Sequence, residues 1–285
     1  MKKWTFFIIC VFFMQFSMSQ NTILWRVTDT VNHKTSTIVG TFHQFGNTFV
    51  DSIPKIRELL YKSDLAIFES VCKTEHTQAL INKRKASNKV ERKLKKKDFA
   101  KLQVLSKNWK VDIYKLRPIE LKWKLQQEFQ RIKCNTNNSL DTWTHFDNYL
   151  EHLARENNIK VLGLETDSLQ LELINIQYNS PKWKDERKDI SSLINMLLSN
   201  DDYSEYCKMA NEYRNFGLAY DFEEPCDNDV LIQGRNEKWL QVLPNLFRTN
   251  NCFLAVGLFH LKNTCGLLEQ LKSKGFLVEP IIVRR

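Results

Sequence analysis

The sequence predicts an α/β protein: one main mixed β-sheet flanked by helices, with an N-terminal β-hairpin and a helix-rich middle insertion. Three observations lead there. Strand and helix signals alternate at both ends of the chain, which is the pattern of a sheet covered by helices. The middle, from about Asn82 to Phe247, reads mostly as helices. Two apolar runs far apart in the chain also finish on one pattern: Ser36-Thr37-Ile38-Val39 leads into Gly40-Thr41-Phe42-His43, and Cys252-Phe253-Leu254-Ala255-Val256 into Gly257-Leu258-Phe259-His260. Each reads as a buried strand delivering a histidine at its carboxyl end, where open α/β sheets place their chemistry.

Residues 1–19 stand apart from the fold. Lys2 and Lys3 form a basic start, Trp4 to Phe16 is apolar, and Ser17-Met18-Ser19 supplies small residues before Gln20. That is the plan of a signal peptide. The apolar run is shorter than the ~20 residues that span a bilayer. The expectation is therefore cleavage and export, to the periplasm or beyond, with no stable membrane anchor. Residues 20–285 are expected to form a single α/β domain. The formal charge is +9, of which Lys2 and Lys3 supply two. Six cysteines follow the leader, and the absence of C-x-x-C spacing argues against a cysteine zinc site. Chain proximity suggests pairing Cys207 with Cys226 and Cys252 with Cys265, beside the alternative of buried free thiols.

Element by element, Ile23–Thr28 and Thr35–Val39 read as the hairpin. Ser52 looks like an N-cap, with Pro54 in the first turn and Ile56, Leu59 and Leu60 as the helix's apolar face. Leu65–Phe68 is a short buried strand ending on Glu69. Ten Lys or Arg crowd Asn82–Lys101 against Glu91 and Asp98 alone. The expected role is a solvated helical face; its further reading is contact with an anionic surface. Without interleaved aromatics or a nucleic-acid fold, no nucleic-acid partner is expected. Helices follow near Phe99–Trp109, over Ile119–Ile132 and from Phe146 to about Asn157. Ile159–Leu164 reads as a buried strand ending on Glu165. Further helices run over Asp167–Asn179, Glu186–Leu198, Tyr203–Asn215 and Val230–Phe247, the last broken near Pro244. Gly266–Lys274 is a helix stopped by Gly275, and Leu277–Val283 closes as a strand.

Four polar groups thus sit at strand ends: His43, Glu69, Glu165 and His260. Arg235-Asn236 lies on the helix before the last of them. Two histidines and a carboxylate can hold a divalent metal and leave a position for water. In this reading His43, His260 and Glu69 are the ligands. Glu69 or Glu165 takes the proton, and Arg235 neutralises charge on the carbonyl oxygen. Each residue also has a structural reading. A strand-end histidine is often a hydrogen-bonding group, Glu69 can cap the next segment, and Glu165 with Arg235 can form a buried ion bridge. Phe42 and Phe259 are expected in the core. His33, His76, His145 and His152 lie in polar stretches and read as solvated, although His145 precedes the helix that bears Asp147.

The ordered set of these residues resembles the TraB/GumN family, which includes the Tiki Wnt-inactivating proteases and is distantly similar to erythromycin esterases and the haem-binding protein ChaN. The likeness runs from Leu24-Trp25-Arg26-Val27 and Gly40-x-x-His43 through Phe68-Glu69, Asp147-x-x-Leu150, Gly163-Leu164-Glu165-Thr166 and Gln170. It continues through Arg235-Asn236-x-x-Trp239 and Gly257-x-x-His260 to Lys274-Gly275-Phe276. It implies a metal-dependent hydrolase, a peptidase first of all, acting on a peptide or protein with Mn, Co or Zn as cofactor. His43, His260 and Glu69 would form the centre, with Glu165 and Arg235 beside it and Asn236 and Asp147 toward substrate. The alternatives are a metal-independent His/Glu hydrolase of esterase type and a non-enzymatic haem- or ligand-binding protein. Where many members carry glycine shortly before that Asp, this chain has His145-Phe146-Asp147.

Overall fold

The computed structural model describes residues 22–71, 74–227 and 229–283. The signal-peptide reading and Cys72 lie outside these residues. Six strands, β1 (Leu24–Asp29), β2 (Lys34–Thr41), β3 (Leu65–Phe68), β4 (Lys160–Gly163), β5 (Cys252–Gly257) and β6 (Leu277–Ile281), form one mixed sheet in the order β4-β3-β5-β2-β1-β6. β1 and β2 are the expected hairpin, Leu24 opposite Val39, and β6 pairs antiparallel on the outer side of β1. β2, β5, β3 and β4 run parallel, with Ile38 beside Leu254 and Ile67 beside both Leu254 and Leu162. β5, the last of these four in the chain, inserts between β2 and β3. The carboxyl ends of four strands therefore face one edge of the sheet.

Burial follows strand position. β3 and β5 are buried at every residue, as central strands covered on both faces must be. β4 departs from the buried strand expected: it is the edge strand, spans only Lys160–Gly163, and leaves Lys160 and Leu162 exposed. Apart from Lys160 the run is apolar, and an apolar run carries little that separates an edge from a centre.

Two apolar clusters hold the molecule. One surrounds the sheet and includes Trp25, Ile38, Phe68, Phe146, Phe253 and Leu268. The other belongs to the helical middle, where Leu102, Leu125, Phe129, Ile190 and Ile194 meet among the helices Lys96–Leu105, Pro118–Lys133 and Trp183–Leu198. Phe42 packs against both. A disulfide joins Cys134 to Cys207 within the helical cluster, and another joins Cys226 to Cys265. Both differ from the pairings suggested by proximity, because the chain path sets cysteine neighbours. Cys252 is a free, buried thiol.

Several local expectations shift. Ile53, not Ser52, is the N-cap of Pro54–Tyr61. Short helices at Asn47–Asp51, Thr74–Asn82 and Lys89–Lys93 lack the periodicity that announces a helix. In the basic run, Lys83, Lys85, Lys89, Arg92, Lys93, Lys95, Lys96 and Lys97 are exposed while Asp98 is buried, so it is a solvated face. Phe259 is not core: it is 51% exposed.

Candidate active site

The first histidine is placed from two directions. β2 ends at Thr41, and His43 follows two residues later. The amide of Phe146 donates to the carbonyl of His43 at 3.1 Å, which docks the start of the helix Phe146–Glu156 against this turn. That helix buries Phe146, Tyr149, Leu150, Leu153 and Ala154, one face at helical spacing. Its first turn presents Asp147, where a carboxylate suits the helix dipole. His43 Nδ1–H donates to Asp147 Oδ2 at 2.5 Å, and the Thr41 hydroxyl donates to Asp147 Oδ1 at 2.8 Å. Burial alone would push the His43 imidazole down. The Asp147 charge and hydrogen bond, with Glu69 behind them, outweigh it and raise the pKa to about 9. Asp147 is held below the ordinary carboxylate range: His43 overcomes the upward push of burial.

The second histidine is placed by a helix. Gly257 ends β5, and His260 sits in the 3₁₀ turn Leu258–Leu261 that follows. Arg235, Asn236 and Trp239 form the buried face of Gln233–Trp239. The Asn236 amide nitrogen donates to the carbonyls of His260 and Cys265, each at 3.1 Å. Its oxygen therefore accepts from His260 Nδ1–H at 2.7 Å. Nε2 keeps its lone pair and accepts from Arg235 Nη1 at 3.1 Å. The Trp239 ring lies 4.4 Å from the imidazole. Burial dominates here and, with the Arg235 and His43 charges, outweighs the attraction of Glu69; the His260 pKa drops to about 3.

Between the histidines lies an acidic pair on one guanidinium. Glu69 follows β3 and Glu165 follows β4, and the Glu165 amide donates to the Glu69 carbonyl at 2.9 Å. Arg235 Nη2 hydrogen-bonds to both carboxylates, and its Nε donates to Glu165 at 3.2 Å. The other Glu69 oxygen accepts from the amide of Gly257 at 2.7 Å. Burial would raise the Glu69 pKa, but His260, Arg235, His43 and that amide hold it far below the carboxylate range. Gln170, in the helix capped by Thr166, donates to Glu165 at 2.9 Å and to Glu69 at 3.4 Å.

All of this meets over Gly257. A Cβ there would lie 3.3 Å from Glu69 Oε1, 3.4 Å from His43 Nε2 and 3.7 Å from His260 Cδ2. The glycine is what leaves room between them. Asn236 is fully buried and Asp147 lies behind His43, so each orients a histidine. Arg235 and Glu165 form the buried ion bridge weighed as their structural reading, now extended to Glu69.

The sequence reads His145 as solvated, and 41% of its side chain is exposed, but the ring also borders the site. Its ring stacks on His43 at 5.3 Å and 17°, and its Nδ1 is buried 3.7 Å from Asp147 Oδ2 with no hydrogen-bond partner among the described residues. Burial leads in pushing its pKa down to about 4. The sequence signal was its place two residues before Asp147.

Two donor sets share His43. In the first, Glu69 and His260 both already face Arg235, so a cation there competes with a guanidinium. In the second, ligand atoms of His43, His145 and Asp147 all lie within 4.8 Å of one another. Two imidazoles and a carboxylate suit a borderline divalent ion such as Zn²⁺ or Co²⁺.

No curated protein and no solved structure matches the chain. The TraB/PrgY/gumN family model matches residues 23–280, nearly the whole chain, from β1 into β6 and across both histidine segments. The chain belongs to the TraB/PrgY/gumN family.

Proposed function

We propose that this chain is an exported, metal-assisted hydrolase, with peptide bonds as the first substrate class. The observation that carries the reading is that His43 Nε2, Glu69 Oε1 and the His260 ring all border the space a Cβ on Gly257 would fill. A divalent ion held on His43 would polarise a carbonyl and bring the pKa of a bound water toward neutrality. The chain's own residues do the rest. Before an ion binds, Asp147 holds the His43 ring by Nδ1 and leaves Nε2 facing the space over Gly257. Glu69, kept ionised, orients a water or substrate N–H at that space. Arg235 and Glu165 act through Glu69, and Asn236 acts through His260; these are positioning residues. The two disulfides support an oxidising compartment and hence export.

A second reading keeps the reaction and omits the ion. The 2.5 Å bond between His43 and Asp147 supports it, since a histidine oriented by a carboxylate activates water directly once deprotonated, which its pKa of about 9 puts on the alkaline side. One experiment separates the two. Purified full-length protein is incubated with mixed peptides, with Mn²⁺, Co²⁺ or Zn²⁺ and after exhaustive chelation, beside His43→Ala and Glu69→Gln. Metal-restored cleavage that both variants lose is the expected result. Cleavage that persists in His43→Ala would overturn both readings, and cleavage that survives chelation selects the second.

A further inference from the structure

We infer that the divalent ion is held by His43, His145 and Asp147, with His145 a ligand in its own right, and not by the two Gly-x-Phe-His histidines together. The inference deepens the hydrolase reading and rests on it for its catalytic meaning. The binding claim itself stands on the geometry below.

Asp147 Oδ2 lies 2.5 Å from His43 Nδ1 and 3.7 Å from His145 Nδ1, with the two imidazoles stacked almost parallel. Metal–nitrogen and metal–oxygen bonds of about 2 Å put donors this close within reach of one ion. Thr41 anchors the other Asp147 oxygen, the kind of outer contact that fixes a carboxylate ligand. His145 Nδ1 is buried without a hydrogen-bond partner among the described residues, a condition that costs free energy unless something supplies a contact. A metal ion is the contact that its lone pair suits.

The alternative set is already satisfied. His260 uses Nδ1 on Asn236 and Nε2 on Arg235. Glu69 uses one oxygen on the Gly257 amide and the other on Arg235. Taking those donors means expelling a guanidinium from a buried network. In the first trio no guanidinium is displaced; an ion there would replace the proton that His43 Nδ1 gives to Asp147. Three protein ligands also leave a coordination position open to water.

The test is binding, read without any substrate. Full-length protein is stripped with a chelator and titrated with Co²⁺, following the visible ligand-field bands, with bound metal counted by elemental analysis. His145→Ala, His145→Gln and His260→Ala are titrated in parallel, and circular dichroism and thermal melting confirm that each is folded. Wild type should take one Co²⁺ per chain. Both His145 variants should bind at least about tenfold more weakly, the minimum that losing even an outer-shell partner costs, while His260→Ala should bind as wild type does. Paramagnetic broadening of imidazole signals gives a variant-free check: His43 and His145 should broaden before His260. Wild-type affinity in the His145 variants, loss of binding in His260→Ala alone, or no uptake by wild type would each overturn the inference. Metal bound as expected by a protein that cleaves no substrate would sink the hydrolase reading and leave the ligand assignment standing.

Discussion

The two Gly-x-Phe-His segments share a pattern and end at the same edge of the sheet, yet their histidines are opposites. His43 keeps 38% of its side chain exposed, donates to a carboxylate, and has its pKa raised to about 9. His260 keeps 3%, donates to an amide, faces a guanidinium, and drops to about 3. The glycines and phenylalanines diverge as well. A Cβ on Gly40 would meet Leu261 Cδ1 at 2.8 Å, so this glycine serves the packing of β2 on the 3₁₀ turn, whereas Gly257 borders the site. Phe42 packs between the two cores, whereas Phe259 points outward. What a neighbouring element supplies decides what a repeated motif does: Asp147 makes one histidine a proton carrier, and Asn236 makes the other a neutral, fixed ring.

The sharpest way to break this contrast is kinetic. Once a substrate is in hand, His43→Ala should lower kcat/KM by about 10²–10⁴-fold, the usual worth of a proton-transfer group. His260→Asn should cost less, because His260 is already committed to Asn236 and Arg235. Equal losses would erase the distinction.

The glycines come next. Gly257→Ala puts a methyl where Glu69 Oε1 and His43 Nε2 must give by a few tenths of an ångström, and should cost activity by about 10²-fold, as small misplacements at reacting centres do. Its denaturation midpoint should change little. Gly40→Ala should do the reverse: overpacking against Leu261 should cost about 1–3 kcal/mol in urea unfolding, while the folded fraction keeps its activity.

The pH dependence of the metal-free protein sharpens the comparison further. The folded pKa of His43, about 9, lies above the ordinary 6.5, so its stabilising contribution is complete below 6.5 and is lost as pH rises through 9. For His260 the folded value of about 3 lies below 6.5, so the unfolded chain takes the proton first and stability falls as pH drops from 6.5 toward 3. His145, Glu69 and Asp147, all held below their ordinary values, steepen the acid side. Urea midpoints from about pH 4 to about pH 10 should peak near neutrality, and Asp147→Asn should flatten the alkaline limb. A midpoint that climbs through that limb would contradict the pairing of His43 with Asp147.

The smallest contrast is aromatic. Phe42→Ala should destabilise toward the lower end of the about 3–5 kcal/mol typical of core phenylalanine, since Phe42 is only partly buried. Phe259→Ala should stay within about 0.5 kcal/mol, as exposed positions do. Thermal melts of the two variants check both.

Much of this was legible in the amino-acid order. Apolar runs that end on His43, Glu69, Glu165 and His260 become neighbours because parallel strands gather their carboxyl ends. The hairpin, the α/β alternation and the helical middle follow from periodicity. What lay hidden depends on chain path. The Cys134–Cys207 and Cys226–Cys265 pairs, the edge position of β4 and the outward turn of Phe259 are set by elements distant in sequence. His145 keeps 41% of its side chain exposed, as its neighbours Thr142 and Thr144 suggest, and its stacking on His43 depends on the Phe146 amide docking onto the distant His43 carbonyl. Gln170 stands in the family pattern one helical turn beyond a capping threonine, but nothing local shows the carboxylates it reaches.

The bond between Cys226 and Cys265 has a practical consequence. The Cys265 carbonyl is one of two that fix the Asn236 amide, and Asn236 in turn sets which nitrogen of His260 carries hydrogen. A covalent tether thus reaches the second imidazole in two steps. Protein made in a reducing cytosol lacks that tether and begins with a loosened ring, so recombinant material should be prepared oxidised before any negative assay is believed.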